Sequence, residues 1–133
     1  MFIQLSDALS YIHSKHIIYR DLKPGNVLVW EFPAPRSQWR QDATVHLKLA
    51  DYGISKMFNA DGVRGTEGTP AYLPPEVILR SEAFTTKLDS YSFGMFLYYL
   101  FTMNGPFEKE KGRPISALLE EGRRPQVSMK VCV

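Results

Sequence analysis

The chain has 133 residues, 44% hydrophobic and 23% charged, with 16 basic and 14 acidic side chains for a net charge of +2. That balance suits one globular domain with a moderate core, argues against disorder, and leaves no nucleic-acid footprint. One cysteine, Cys132, excludes an internal disulfide framework and fits a reducing, cytoplasmic setting.

Residues 1–15 carry Phe2, Leu5, Ala8, Leu9 and Ile12 at spacings of three and four, which predicts an amphipathic helix. No N-cap precedes it, a first hint that the chain begins inside an element. Ile17-Ile18 reads as a short strand leading into a polar loop, and Val27–Trp30 as a second strand. Glu31 to Thr44 holds two prolines and many polar residues, so it is expected to be a long loop. Val45–Leu49 alternates as a strand should and delivers Asp51 at its end. Met57 to Gly68 reads as a polar loop, and residues 74–79 as a short helix with Pro74 and Pro75 near its start. Asp89 to Thr102 is the most hydrophobic segment, apolar all round, and is expected to be a helix buried on most sides. Asp89 is placed to meet the helix N-terminus and the backbone of a neighbouring loop. Ile115–Glu121 predicts a last short helix. The longest near-apolar run, Phe93 to Phe101, falls short of the roughly 20 residues a bilayer span needs. Met1-Phe2-Ile3-Gln4 lacks the basic start of a signal peptide.

Three short motifs stand in order: Ile18-Tyr19-Arg20-Asp21-Leu22-Lys23-Pro24-Gly25-Asn26-Val27-Leu28, then Asp51-Tyr52-Gly53, then Gly68-Thr69-Pro70 with Pro75-Glu76. Phosphoryl transfer asks a protein for positioning and charge neutralisation, and these motifs hold the residue types that supply both. The chain resembles the large lobe of a eukaryotic protein kinase. Lys23-Pro24 after Asp21 matches the serine/threonine type. Tyr19 stands where most members have His, and Tyr52 where most have Phe. With Ile54 and Glu67-Gly68-Thr69-Pro70, these departures are similar to the leucine-rich-repeat kinases of the Roco group, as is the long insert at Glu31–Thr44. Pro74-Pro75-Glu76 replaces the usual Ala-Pro-Glu, a mild departure at Glu76.

The resemblance implies an α+β, kinase-like fold of which residues 1–133 form one partial domain. That domain would be the mostly helical C-terminal lobe, with the N-terminal lobe absent and truncation at both ends. It implies ATP and Mg2+ as cofactors, a protein substrate, and the missing small lobe as partner. Asp21 would orient the substrate hydroxyl and take its proton, and Lys23 would neutralise the transferred phosphoryl. Asn26 and Asp51 would hold magnesium, and Leu28 would lie beneath the adenine. Tyr52 and Gly53 would belong to the inter-lobe column beside Tyr19, with a buried Tyr52 hydroxyl needing a partner. Thr69 would bond Asp21 and Lys23, and Glu76 would pair with an Arg further on, for which Arg123 and Arg124 come early. Arg20 would face the loop between Asp51 and Glu76, either pairing with a phosphate there or making a plain loop–loop hydrogen bond. Thr66, near Arg20 and Arg64, is the hydroxyl read as the control point.

Other residues carry quieter expectations. Trp30 and Trp39 read as packing residues, His13 and His16 as partners of a helix end rather than metal ligands, and Glu108–Lys111 as a solvated face. The Gly-rich loop and strand lysine that cover ATP phosphates are not found. The isolated chain is therefore expected to lack kinase activity and to be marginally stable. Two other functions compete with an ATP-dependent serine/threonine kinase. One is a non-catalytic lobe that binds proteins. The other is a small-molecule phosphotransferase, against which the Thr69–Glu76 segment speaks.

Overall fold

The computed structural model describes residues 2–31, 45–80, 83–110 and 112–127. Among the described residues one α-helix is followed by four short strands and then three more helices: α1 (Phe2–Ser14), β1 (Ile17–Ile18), β2 (Val27–Glu31), β3 (His46–Leu49), β4 (Lys56–Met57), α2 (Pro75–Arg80), α3 (Lys87–Thr102) and α4 (Ile115–Glu120). The apolar stripe of α1 does what its spacing predicts: Leu5, Leu9 and Ile12 are buried while Ile3 and Tyr11 face outward.

The strands make two separate antiparallel pairs. In β2–β3, Val27 faces Leu49 and Val29 faces Leu47, with a bulge between Val29 and Glu31. In β1–β4, Ile17 faces Met57 and Ile18 faces Lys56. The β4 pairing lies at the start of what the sequence read as loop. A two-residue strand shows no alternation from which it could be recognised. Three 3₁₀ turns, at Pro24–Asn26, Pro70–Tyr72 and Glu108–Glu110, complete the described elements.

Two apolar clusters meet at the Tyr19–Asn26 loop. Leu5, Leu9, Ile12, Tyr19, Leu22 and Phe96 form one, and Ile18, Val63, Leu73, Val77, Phe84 and Leu88 the other. Adjacent residues Ile18 and Tyr19 thus anchor to opposite clusters, which pins the start of the loop from both sides. A smaller cluster joins Phe107, Leu118 and Leu119 under α2 and α4.

The helix α3 corrects one expectation. Only Leu88, Asp89, Ser92 and Phe96 of it are buried, and Phe101 is 73% exposed. Its remaining apolar side chains are mostly half-buried. The neighbours described here cover one side of the helix, not most of it. Trp30, expected to pack inward, is exposed on β2, where the Lys48 ammonium sits 3.4 Å over its ring. Trp39, Cys132, Lys111 and most of the Glu31–Thr44 insert lie outside the described residues. No helix among the described residues is long and apolar enough to cross a membrane.

Candidate active site

The loop after β1 is polar in sequence and interior in the fold. Tyr19, Arg20 and Leu22 are fully buried, and Asp21 and Asn26 nearly so. Burying such groups is tolerable only when each finds partners. Asp89, wholly buried in the first turn of α3, supplies the first set. Its Oδ2 accepts from the Tyr19 amide at 2.8 Å and its Oδ1 from the Arg20 amide at 2.8 Å. The expected contact with a neighbouring loop's backbone is therefore present. His13 adds a contact the sequence did not disclose: its Nε2 lies 2.7 Å from Asp89 Oδ2. It lies in the last turn of α1, as expected, and also meets a side chain 76 positions away. His16 adopts a left-handed conformation (φ 57°) and packs edge-on against Phe58.

Asp21 is held by three side chains. Lys23 Nζ donates to its Oδ2 at 2.7 Å, Thr69 Oγ1 donates to its Oδ1 at 2.7 Å, and Asn26 Nδ2 donates to its Oδ2 and to its carbonyl oxygen, both at 2.9 Å. Lys23 also donates to Thr69 Oγ1 at 2.9 Å, closing a ring of contacts across 46 positions of sequence. Burial raises the Asp21 carboxyl. The hydrogen bonds from Lys23, Thr69 and Asn26 outweigh burial and hold it below the usual carboxylate range. Asp21 is therefore ionised at neutral pH.

Asn26 and Asp51 are brought together by the β2–β3 pair. Asn26 precedes β2, Asp51 lies two residues beyond β3, and the Ala50 amide donates to the Asn26 carbonyl at 2.9 Å. Asn26 spends its amide hydrogens on Asp21, so the atom it can offer a cation is its amide oxygen. Asp51 is exposed, sits at φ 56°, and accepts from the Gly53 amide at 3.2 Å. One carboxylate and one amide oxygen form a hard donor set. Magnesium, which keeps waters and uses substrate phosphates for its remaining positions, fits such a set. No group of three or more His, Cys, Asp or Glu side chains suited to a metal occurs among the described residues.

Tyr19 and Tyr52 pack edge to face with ring centroids 5.2 Å apart, as the sequence led one to expect. Which hydroxyl needs a partner is corrected. Tyr52 is half-exposed, so water can serve its hydroxyl. The Tyr19 hydroxyl donates to the Ala50 carbonyl, beside Asp51. Burial first, then the neighbouring Tyr52, Asp21 and Asp51, push this hydroxyl above its ordinary range, so it stays a donor. Ser55 Oγ adds a bond to the Tyr19 carbonyl at 3.1 Å. Leu28 is 46% exposed on β2.

Arg20 is engaged by the protein itself. Its Nη1 donates to the Ile54 carbonyl at 3.1 Å, its Nη2 donates to the Glu67 carboxylate, and its guanidinium lies 5.1 Å from the centre of the Phe84 ring. Thr66 is exposed next to Glu67, and Glu76 is exposed in the first turn of α2. Arg123 pairs with Glu110 (3.2 Å) and Glu121 (3.4 Å), and Arg124 donates to the Arg123 carbonyl.

Comparison with known proteins agrees with this geometry. The sequence profile of the protein kinase domain matches residues 1–129. The chain belongs to the protein kinase family. Leucine-rich repeat serine/threonine-protein kinase 1 of Caenorhabditis elegans is 46% identical over 126 residues, covering 92% of this chain and 5% of that protein. The mouse protein of the same name is 38% identical over 122 residues, covering 92% of the chain and 6% of its own length. The Drosophila melanogaster ovarian-specific serine/threonine-protein kinase Lok is 37% identical over 125 residues, covering 92% and 24%. The chain is thus of serine/threonine kinase type and resembles the leucine-rich-repeat kinases, and it spans a small part of the length of these relatives.

Proposed function

We propose that this chain is the large-lobe portion of a serine/threonine protein kinase, transferring the ATP γ-phosphate to protein hydroxyls in the cytoplasm. The observation that carries this reading is the ring of Asp21, Lys23 and Thr69 with Asn26 bonded to Asp21. It gathers a carboxylate, a cation, a hydroxyl and an amide from two distant segments around one point. The helical elements, the Tyr19–Asn26 loop and the Asp51 segment support the large-lobe assignment.

Asp21, ionised and fixed by three donors, orients the acceptor hydroxyl and receives its proton. Lys23 stands beside it to neutralise charge on the group in flight. Asn26 and Asp51 would hold magnesium. Bound there, magnesium would offset the charge of the ATP phosphates. Tyr19 and Tyr52 stack where the small lobe of the same kinase would rest, near Leu28, which would lie against the adenine. A second reading, a lobe that binds proteins without catalysis, draws on the exposed Leu28, Val29, Trp30 and Tyr52.

Asp21→Asn separates the two readings. In the catalytic domain completed by its ATP-covering lobe, it should lower kcat by about 10²- to 10⁴-fold, the worth of a general base, with nucleotide affinity kept. Near-normal turnover would remove Asp21 from the role of base.

A further inference from the structure

Arg20 presents a problem that the catalytic reading does not solve. Its side chain is wholly buried, and an isolated buried charge is strongly destabilising unless an opposite charge and hydrogen bonds meet it. The acid that meets it is Glu67, 47 positions away. Glu67 is itself half-exposed, and Lys56 Nζ approaches its other oxygen at 3.7 Å.

The backbone around Glu67 is shaped for this contact. Gly65 and Gly68 flank it at φ 134° and 132°, conformations that favour glycine. A Cβ at Gly65 would stand 2.1 Å from Glu67 Oε2 and 3.1 Å from Arg20 Nη2. A Cβ at Gly68 would stand 3.0 Å from the Arg20 carbonyl oxygen and 2.9 Å from Leu73 Cδ2. Both glycines therefore let the segment close onto Arg20. Two residues after Glu67 comes Thr69, whose hydroxyl donates to Asp21.

We propose that Glu67 is a built-in anion for Arg20, which clamps the 62–70 segment onto the Tyr19–Asn26 loop with no phosphate required and so positions Thr69 against Asp21 and Lys23. Its hydrogen bond with its own backbone amide, together with Arg20, holds the Glu67 carboxyl at about 2 rather than 4.5. Glu67 is therefore an anion at neutral pH. Thr66, next in sequence, is then not the source of the charge that orders this segment. Only the catalytic consequence of the clamp rests on the phosphotransfer reading.

The test compares the chain with its Glu67→Gln, Glu67→Asp and Thr66→Ala variants by amide hydrogen exchange. Losing a charge-assisted hydrogen bond should speed exchange at residues 65–69 by about tenfold in Glu67→Gln. Helix α1 should stay unchanged, Glu67→Asp should recover part of the protection, and Thr66→Ala should match the parent. In the completed catalytic domain after phosphatase treatment, Glu67→Gln should lower kcat and leave the KM for ATP in place. Unchanged exchange at 65–69, or an equal rise in α1, would overturn the clamp. A parent protein inert in transfer would overturn the phosphotransfer reading while the exchange data still decide the clamp.

Discussion

The Tyr19–Asn26 loop and the helix α3 invert the usual relation between hydropathy and burial. The loop holds Arg20, Asp21 and Asn26, and all three are buried. The helix holds Phe93, Leu97, Leu100 and Phe101, and these are half-buried or exposed. What separates the two regions is specific partnership. The loop is drawn inside by Asp89 and Glu67, which accept from its amides and its guanidinium, and by Thr69, which donates to Asp21. The helix has only generic apolar attraction, which acts to the extent that neighbours supply surface. A buried polar loop held by long-range partners is costly to build and is retained where geometry must be fixed.

If that contrast is right, the loop should break at Asp89 before it breaks anywhere else. Asp89→Ala strips the acceptor from two buried backbone amides and from His13. Each unsatisfied buried group costs about 1–3 kcal/mol, so the chain should lose about 3 kcal/mol or more in urea unfolding. Phe101→Ala on the exposed face of α3 should stay within about 0.5 kcal/mol. Comparable losses at both sites would erase the distinction.

A smaller effect separates the two stacked tyrosines. Tyr19→Phe removes a hydroxyl bonded to the Ala50 carbonyl and should cost about 1 kcal/mol. Tyr52→Phe removes a half-exposed hydroxyl and should cost a few tenths at most. Thermal unfolding of both variants reads this directly, and a larger loss at Tyr52 would reverse the assignment.

Much of the local structure was legible in the residues. The stripe Leu5, Leu9, Ile12 announced α1, and the resemblance carried by the three motifs implied the contact of Thr69 with Asp21 and Lys23. What escaped was long-range pairing without a local mark. His13 meets Asp89 across 76 positions, and neither residue signals the other. The short strand β4 has too few residues to show a period. Glu67 carried only a faint signal, an acid between two glycines, and the residues left Arg20 equally open to a loop phosphate or a plain loop–loop hydrogen bond. The covering of α3 was misjudged because an all-round apolar pattern states how much surface can be buried, and not how much the neighbours will bury.

The central claim is that the ring around Asp21 is a catalytic arrangement and not only a structural one. The most direct measurement is kcat for phosphate transfer to a serine-containing peptide by the completed catalytic domain carrying Thr69→Ala or Thr69→Ser. The hydroxyl bonds both Asp21 and Lys23, so Thr69→Ala should lower kcat by about tenfold or more. Thr69→Ser, which keeps the hydroxyl, should restore most of it, with the KM for ATP similar throughout. Equal turnover in the alanine and serine variants would contradict the account.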